Sequence, residues 1–225
     1  NVIHDVAIQD LPVVMCLDRG GLVGEDGVTH HGVFDMAAFG AVPGLTIAAP
    51  MNEPELRNMM YTALGSGHPF MIRYPRGHGE GLPWRGEKFE TLPVGRGRRL
   101  REGADVALLT VGTVGNAAAR AAERAAEKGV SVAHYDLRFA KPLDEALLAE
   151  VGAEFRHVVT VEDGSLRGGV GEAVAAFFNG RGYDVRVQRL GIGDEWVEHG
   201  TPGQLYALCG YDEEGILRAL LDTRA

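Results

Sequence analysis

From its first residue the chain alternates short apolar runs with stretches of helical period. Val2, Ile3, Val6 and Ala7 recur at i, i+1, i+4 and i+5, one face of a helix. No capping residue or first turn precedes this stripe, so the sequence is expected to be a piece of something longer. Residues 11–17 read as a buried strand, 33–39 as a short helix and 45–49 as a second strand. The next helix opens on Asn52 as cap, with Pro54 in the first turn and Glu55 three residues on, as in a capping box. Leu56, Met59, Met60, Ala63 and Leu64 form its apolar face, and Gly65 and Gly67 end it. Residues 70–74 are the following strand. Strand, helix and strand at this spacing predict a βαβ unit with a parallel sheet. The loop after the first strand and Tyr74-Pro-Arg-Gly77 then leave strand carboxyl ends on one edge, where open α/β sheets place ligands.

From residue 78 to 93 the periodicity lapses into glycine, proline and charge, which reads as a linker. Beyond it, strands at 106–111, 130–137, 157–161 and 185–190 alternate with helices. These are an alanine-rich one capped by Thr113, then 144–151 and 171–178, a capping box at Thr201 with Pro202 at the first helical position, and a last helix over 212–221. The expected fold is α/β, with two doubly wound domains: residues 1–80, a linker over 81–94, and 95–225.

Composition narrows the function. A net charge of −9 without a long Arg/Lys run excludes nucleic acid as the main partner. Arg96, Arg98, Arg99 and Arg101 read as a solvated strand face. The sequence has neither an apolar stretch long enough for a bilayer nor a signal-peptide pattern. Cys16, in the first strand, and Cys209, in a helix-like segment, read as small core residues in a reducing compartment, so a cytoplasmic location is expected.

Candidate chemistry concentrates in the loop at 18–32, DRGGLVGEDGVTHHG. Five glycines in fifteen positions surround Arg19, the carboxylates Asp18, Glu25 and Asp26, and the imidazoles His30 and His31. Asp26 and His30 either face water separately or meet across the loop as a general acid/base pair. Zinc is disfavoured, because adjacent histidines project apart and no further ligands stand at metal spacing. Arg19, Arg73 and Arg76 either converge on a phosphate or carboxylate or pair with local acids, with Arg76 the better placed of the strand-end pair. Gly168-Gly-Val-Gly171 ahead of a helix resembles a phosphate cradle but lacks GxGxxG spacing, and reads as a tight turn. Glu162 and Asp163 read as a cap or as the lining of a domain interface. The run from Asp136 to Asp144 reads as a structural strand exit.

In combination these segments resemble the 1-deoxy-D-xylulose-5-phosphate synthase family, which is similar to transketolases. Asp18 through Asp35 match its Asp-Arg-x-Gly-x-Val-Gly-x-Asp-Gly-x-Thr-His-x-Gly-x-Phe-Asp pattern. Arg73-Tyr-Pro-Arg-Gly77, Asp136-Leu-Arg-Phe-Ala-Lys-Pro-Leu-Asp144 and the run from Val161 to Gly171 follow in the family's order, so the likeness covers essentially the whole chain. Gly20, where the family often has alanine, is a mild departure. The resemblance implies a transferase that uses thiamine diphosphate and Mg2+ to decarboxylate pyruvate and join the two-carbon unit to D-glyceraldehyde 3-phosphate. The product feeds isoprenoid, thiamine and pyridoxal synthesis. It further implies a pyrimidine-binding domain lacking its N-terminal part over 1–80, a transketolase C-terminal domain over 95–225, and a homodimer. Asp26 and His30 would be the active-site pair, with Arg19 and Arg76 holding the aldehyde's phosphate.

The family's Gly-Asp-Gly motif for diphosphate and Mg2+ does not occur; Glu25-Asp-Gly27 only looks like it. Cofactor and metal are therefore expected mainly upstream of Asn1, with no metal site in this chain. The polypeptide alone should bind thiamine diphosphate poorly and turn over nothing. The rival readings are transketolase, a 2-oxoacid dehydrogenase β chain and a non-catalytic dimerisation fragment.

Overall fold

The computed structural model describes residues 1–223; Arg224 and Ala225, the end of the expected second domain, lie outside the described residues. The first sheet is built from β1 (Val14–Leu17), β2 (Thr46–Ala48) and β3 (Phe70–Arg73), with α1 (Asp35–Gly40) and α2 (Glu53–Leu64) between them in sequence. β3 lies in the middle and pairs in parallel with both neighbours. The loops that follow β1 and β3 thus leave the same edge, as the βαβ spacing requires.

Three local expectations change. The amino-terminal stripe forms a π-helical turn, Val2–Ala7, whose wider winding is seen in Ile8 N–H donating to Ile3 O at 2.9 Å. β1 is an edge strand, not a buried one: among the described residues it pairs with β3 alone, Leu11 and Val13 are exposed, and so is Cys16. α2 buries Glu55, Asn58, Met59, Thr62 and Ala63, whereas Met60 and Leu64 face solvent. The reason is the segment at 84–92, laid along α2 with backbone groups that need polar partners. Leu92 N–H donates to Thr62 Oγ1 at 2.8 Å and Glu90 N–H to Asn58 Oδ1 at 3.3 Å, while Arg57 donates to the carbonyls of Trp84, Glu87 and Lys88. Asn52 caps α2 as expected, accepting from Glu55 N–H at 3.1 Å. The Glu55 carboxylate does not complete the box, because it is engaged by Arg138 and Arg98.

The second sheet has the order β4-β6-β5-β8-β9, from β4 (Arg98–Arg101), β5 (Val106–Val111), β6 (Val132–Asp136), β8 (His157–Ser165) and β9 (Arg186–Ile192). All pairs are parallel except β4 with β6. Helices α3 (Val114–Glu127), α4 (Glu145–Glu154), α5 (Val170–Gly180), α6 (Pro202–Leu208) and α7 (Glu213–Asp222) cover it. Val106 and Leu108 join Ala118, Ala122, Ile216 and Leu220 in one core, while Ala107 and Leu109 join Leu148, Val151, Val174 and Phe178 in another. The strand's period of two is therefore kept although both faces are buried. Thr113 precedes α3 without a side-chain cap bond, whereas Thr201 and Gln204 form the full capping box on α6.

Strand pairing, ion pairs and apolar packing tie the sheets together. β7 (Phe139–Lys141), within the segment expected to be a plain strand exit, pairs antiparallel with β2, giving the first sheet the order β1-β3-β2-β7. Of the four arginines read as a solvated face three are ion-paired: Arg96 with Asp144, Arg98 with Asp136 and, across the junction, with Glu55, and Arg99 with Glu102 and Glu154, whereas Arg101 is half-buried with its Nε unpartnered among the described residues. Arg138 holds both oxygens of Glu55, at 2.9 and 3.0 Å, across the same junction. Apolar packing is continuous there too, with Ile47 and Met71 in one core with Leu109 and Val111.

Two groups on β6 respond to pH with opposite signs. Burial pushes the Asp136 carboxyl up from 3.8 to about 6 despite nearby Arg98. Its contribution to stability is full below the ordinary carboxylate range and is lost as pH rises toward about 6. Burial, aided by Arg101 and Arg98, pushes His134 down from 6.5 to about 4. Its contribution is full above 6.5 and is lost as pH falls toward about 4. The two oppose each other across the shared window. Asp136→Asn should leave the His134 effect uncompensated, so that the urea midpoint climbs more steeply with pH over that window than in the parent. Parallel slopes for the two proteins would overturn this assignment.

Candidate active site

The loop at 18–32 closes on itself at its base. Gly21 and Gly32 exchange backbone hydrogen bonds of 2.7 and 2.9 Å, and Gly20 N–H donates to Tyr74 O at 2.9 Å, joining it to the loop after β3. Arg19 takes the left-handed conformation, with φ of 61°. Farther out, Gly27 N–H donates to Gly24 O and His30 N–H to Gly27 O, two turns that carry His30 to an exposed tip. Its Nδ1 lies 2.9 Å from Thr29 Oγ1.

Asp26 reaches the other loop and forms an ion pair with Arg76. These two expected site residues are brought together by the shared sheet edge. Asp26 and His30 share one loop, but among the described residues no hydrogen bond joins them. The charge-assisted bond to a guanidinium outcompetes one to an imidazole that the turn aims at Thr29. Arg19 is not brought onto Arg76; it pairs with Asp18, and its Nε is buried without a hydrogen-bond partner. Arg73 has the structural role left open for it. It is 4% exposed, and its guanidinium donates to Asp35 Oδ2 at 2.6 Å, Gly32 O at 3.0 Å and Asp163 O at 2.9 Å.

The second domain holds this loop through residues to which the sequence assigned no site role. Asp163, buried at the end of β8, accepts from Leu22 N–H at 3.0 Å, Tyr211 OH at 2.8 Å and Tyr206 OH at 3.1 Å. Burial raises its carboxyl above the ordinary range, opposed by Arg73 and these donors. Burial and the Asp163 charge in turn raise both tyrosine hydroxyls. An acid ending an otherwise apolar strand was the available signal for Asp163; nothing local marks Tyr206 or Tyr211 as its partners. Beyond Arg76, Gly81 N–H donates to Glu53 Oε1 at 2.7 Å, anchoring the far side of that loop on the start of α2. Hydrogen bonds from its own and neighbouring backbone groups lower the Glu53 carboxyl.

The turn that resembles a phosphate cradle does not fit a diphosphate. The turn ahead of α5 is already filled by Glu162, which accepts from Val170 N–H and Gly171 N–H at 2.8 Å each. A Cβ at Gly169 would lie 2.5 Å from that carboxylate. The tight-turn reading of the glycines therefore holds, as does the capping role of Glu162. Among the described residues no three metal-ligating side chains cluster.

The glycines at the loop's base differ in what they tolerate. A Cβ at Gly20 would come no closer than 3.2 Å to the Arg73 side chain, a contact that small shifts relieve. At Gly21, with φ of 88°, it would lie 1.9 Å from Asp163 Oδ2. Gly20→Ala should change stability by less than about 1 kcal/mol. Gly21→Ala should cost more than the ~1–2 kcal/mol of the left-handed backbone alone, since the buried carboxylate must also move. Urea unfolding of the pair measures this, and equal midpoints would refute it.

Comparison with known proteins matches residues 95–216 to the transketolase C-terminal domain and residues 1–80 to the transketolase pyrimidine-binding domain. The chain is 58% identical to a 1-deoxy-D-xylulose-5-phosphate synthase of Bacteroides fragilis, over 100% of this chain and 35% of that protein. The enzyme of that name from Bacteroides thetaiotaomicron is 57% identical, over 98% and 34%. That from Symbiobacterium thermophilum is 48% identical, over 96% and 33%. The chain thus spans about a third of the length of the curated relatives it matches. Among solved structures, a split gene transketolase described as an inactive beta4 tetramer superposes with a TM-score of 0.87 at 25% identity, covering 99% of this chain and 70% of that one. A transketolase mutant from Pichia stipitis shares the fold, with a TM-score of 0.74 at 20% identity over 96% and 31%.

Proposed function

We propose that this chain, which belongs to the transketolase family, forms the acceptor side of the active site of a 1-deoxy-D-xylulose-5-phosphate synthase. The reaction is decarboxylation of pyruvate and transfer of its two-carbon unit to D-glyceraldehyde 3-phosphate, supplying isoprenoid and thiamine synthesis. Residues 1–80 belong to the pyrimidine-binding domain, 81–94 to a linker, and the remainder to the C-terminal domain. Thiamine diphosphate and Mg2+ are assigned mainly to the part of the relatives' length that this chain does not span, since the glycine-rich turn ahead of α5 is filled by Glu162. A cytoplasmic homodimer completes the reading.

In this assignment Arg76 takes the phosphate of the aldehyde, and Arg19 assists with its orphaned Nε donor. His30, exposed at the loop tip, holds the aldehyde oxygen and donates a proton to it as the carbonyl becomes a hydroxyl, while Asp26 sets the local charge through Arg76. The convergence of the loops after β1 and β3, marked by the Asp26–Arg76 pair, carries the reading. Identities of 48–58% to synthases, against 25% to the split gene transketolase, favour a synthase over a transketolase.

The test is a change of acceptor preference in the protein that carries this chain. Arg76→Met should weaken kcat/KM for D-glyceraldehyde 3-phosphate by about 10- to 100-fold, the value of one or two hydrogen bonds to a charged group. The rate with unphosphorylated D-glyceraldehyde should barely move. An unchanged preference for the phosphorylated aldehyde would sink the assignment. Unchanged kinetics together with weakened subunit association would favour the dimerisation fragment.

A further inference from the structure

We infer that His31 is a positioning residue: a neutral imidazole, protonated on Nε2, that clasps the loop bearing Asp26 and His30 to the second domain. The inference rests on the reading of that loop as the acceptor site. His31 Nδ1 accepts from Val23 N–H at 3.1 Å, so it carries no proton. Its Nε2 lies 3.1 Å from Val197 O, an atom that only accepts, so Nε2 carries the hydrogen. The two partners together admit one tautomer and one ring orientation.

The placement gives the clasp its consequence. Leu22 and Val23 offer consecutive backbone donors, and among the described residues both go to side chains: Asp163 takes the first and His31 the second. Val197 lies between β9 and α6, and the same segment meets the loop again where Gly200 N–H donates to Gly24 O at 3.4 Å and where Gly27 faces His199. His30 is one peptide away from His31 and, among the described residues, has the neighbouring Thr29 hydroxyl alone to steady its own ring. Its direction is therefore set largely by how the backbone is fixed at His31. A leucine there supplies neither contact. A glutamine offers an oxygen to Val23 N–H and an N–H to Val197 O.

The first test reads the ring nitrogens of 15N-labelled chain through long-range proton–nitrogen correlations, above the pH at which histidines ordinarily titrate. The His31 signals are assigned by their loss in His31→Gln. An unprotonated Nδ1 with a protonated Nε2 is expected. A proton on Nδ1, or shifts averaged between tautomers, would overturn the clasp. The second test compares variants in the protein that carries this chain. His31→Leu should lower kcat/KM for the phosphorylated aldehyde by about tenfold or more, as a displaced catalytic group does. His31→Gln should restore most of it. Equal losses in both variants, or no loss in His31→Leu, would overturn the positioning role. Arg76→Met reports separately on the site itself, while the ring nitrogens report on the clasp whatever that result.

Discussion

The buried guanidinium of Arg73 is the constraint on which the site depends. It ends the central strand of the first sheet, where a cation without partners would cost several kcal/mol in desolvation. Three acceptors from three places meet that demand: Asp35 at the start of α1, the carbonyl of Gly32 at the base of the site loop, and the carbonyl of Asp163 in the second domain. Each fixes a different body relative to β3. The loop cannot be re-routed without leaving a buried charge or carbonyl unmatched. The glycines at its base follow from the same crowding, since a Cβ at Gly32 would lie 2.1 Å from Arg19 O.

The two sheets therefore act as one support. β7 extends the first sheet from within the sequence of the second, Glu55 and Arg138 pair across the junction, and one apolar core runs through both. Asp163 then brings Tyr206, Tyr211 and Leu22 to a single carboxylate. Hydroxyls and an amide that all donate to it match an acceptor-only group, which is how a buried carboxyl is best satisfied. A C-terminal domain serving association alone would have no need to grip this loop at consecutive backbone amides.

Much of this was legible in the chain. The period of two or of 3.6, the cap at Asn52, the capping box at Thr201 and the glycine-dense loop after a strand are local signals, and local physics decides them. What stayed hidden depends on partners distant in sequence. The buried side of α2 is polar because a strap of backbone lies on it, so apolar periodicity pointed to Met60 and Leu64 in error. Cys16 sits in an apolar run but on an edge strand, a matter of sheet order. β7 reads as a strand exit until its partner is known. Spacing placed Asp26 four residues from His30, yet the carboxylate found Arg76 on another loop. The chemistry-bearing segment was readable; its pairings were not.

That division follows from what a site asks of its residues. Arg76 and His30, the groups proposed to touch substrate, are exposed and held by few bonds. Arg73, Asp163, Glu162 and His31 are at least partly buried and have two or more polar partners each. A group that must bind and release an anion needs a partner it can exchange, which an exposed ion pair worth about 1 kcal/mol provides. A group that must keep others within a fraction of an ångström needs partners it cannot exchange, which only burial in a satisfied network provides. The loop at 18–32 carries both kinds in fifteen residues. Glycine lets its backbone turn between them, presenting His30 outward while His31, the next residue, is turned inward onto the second domain.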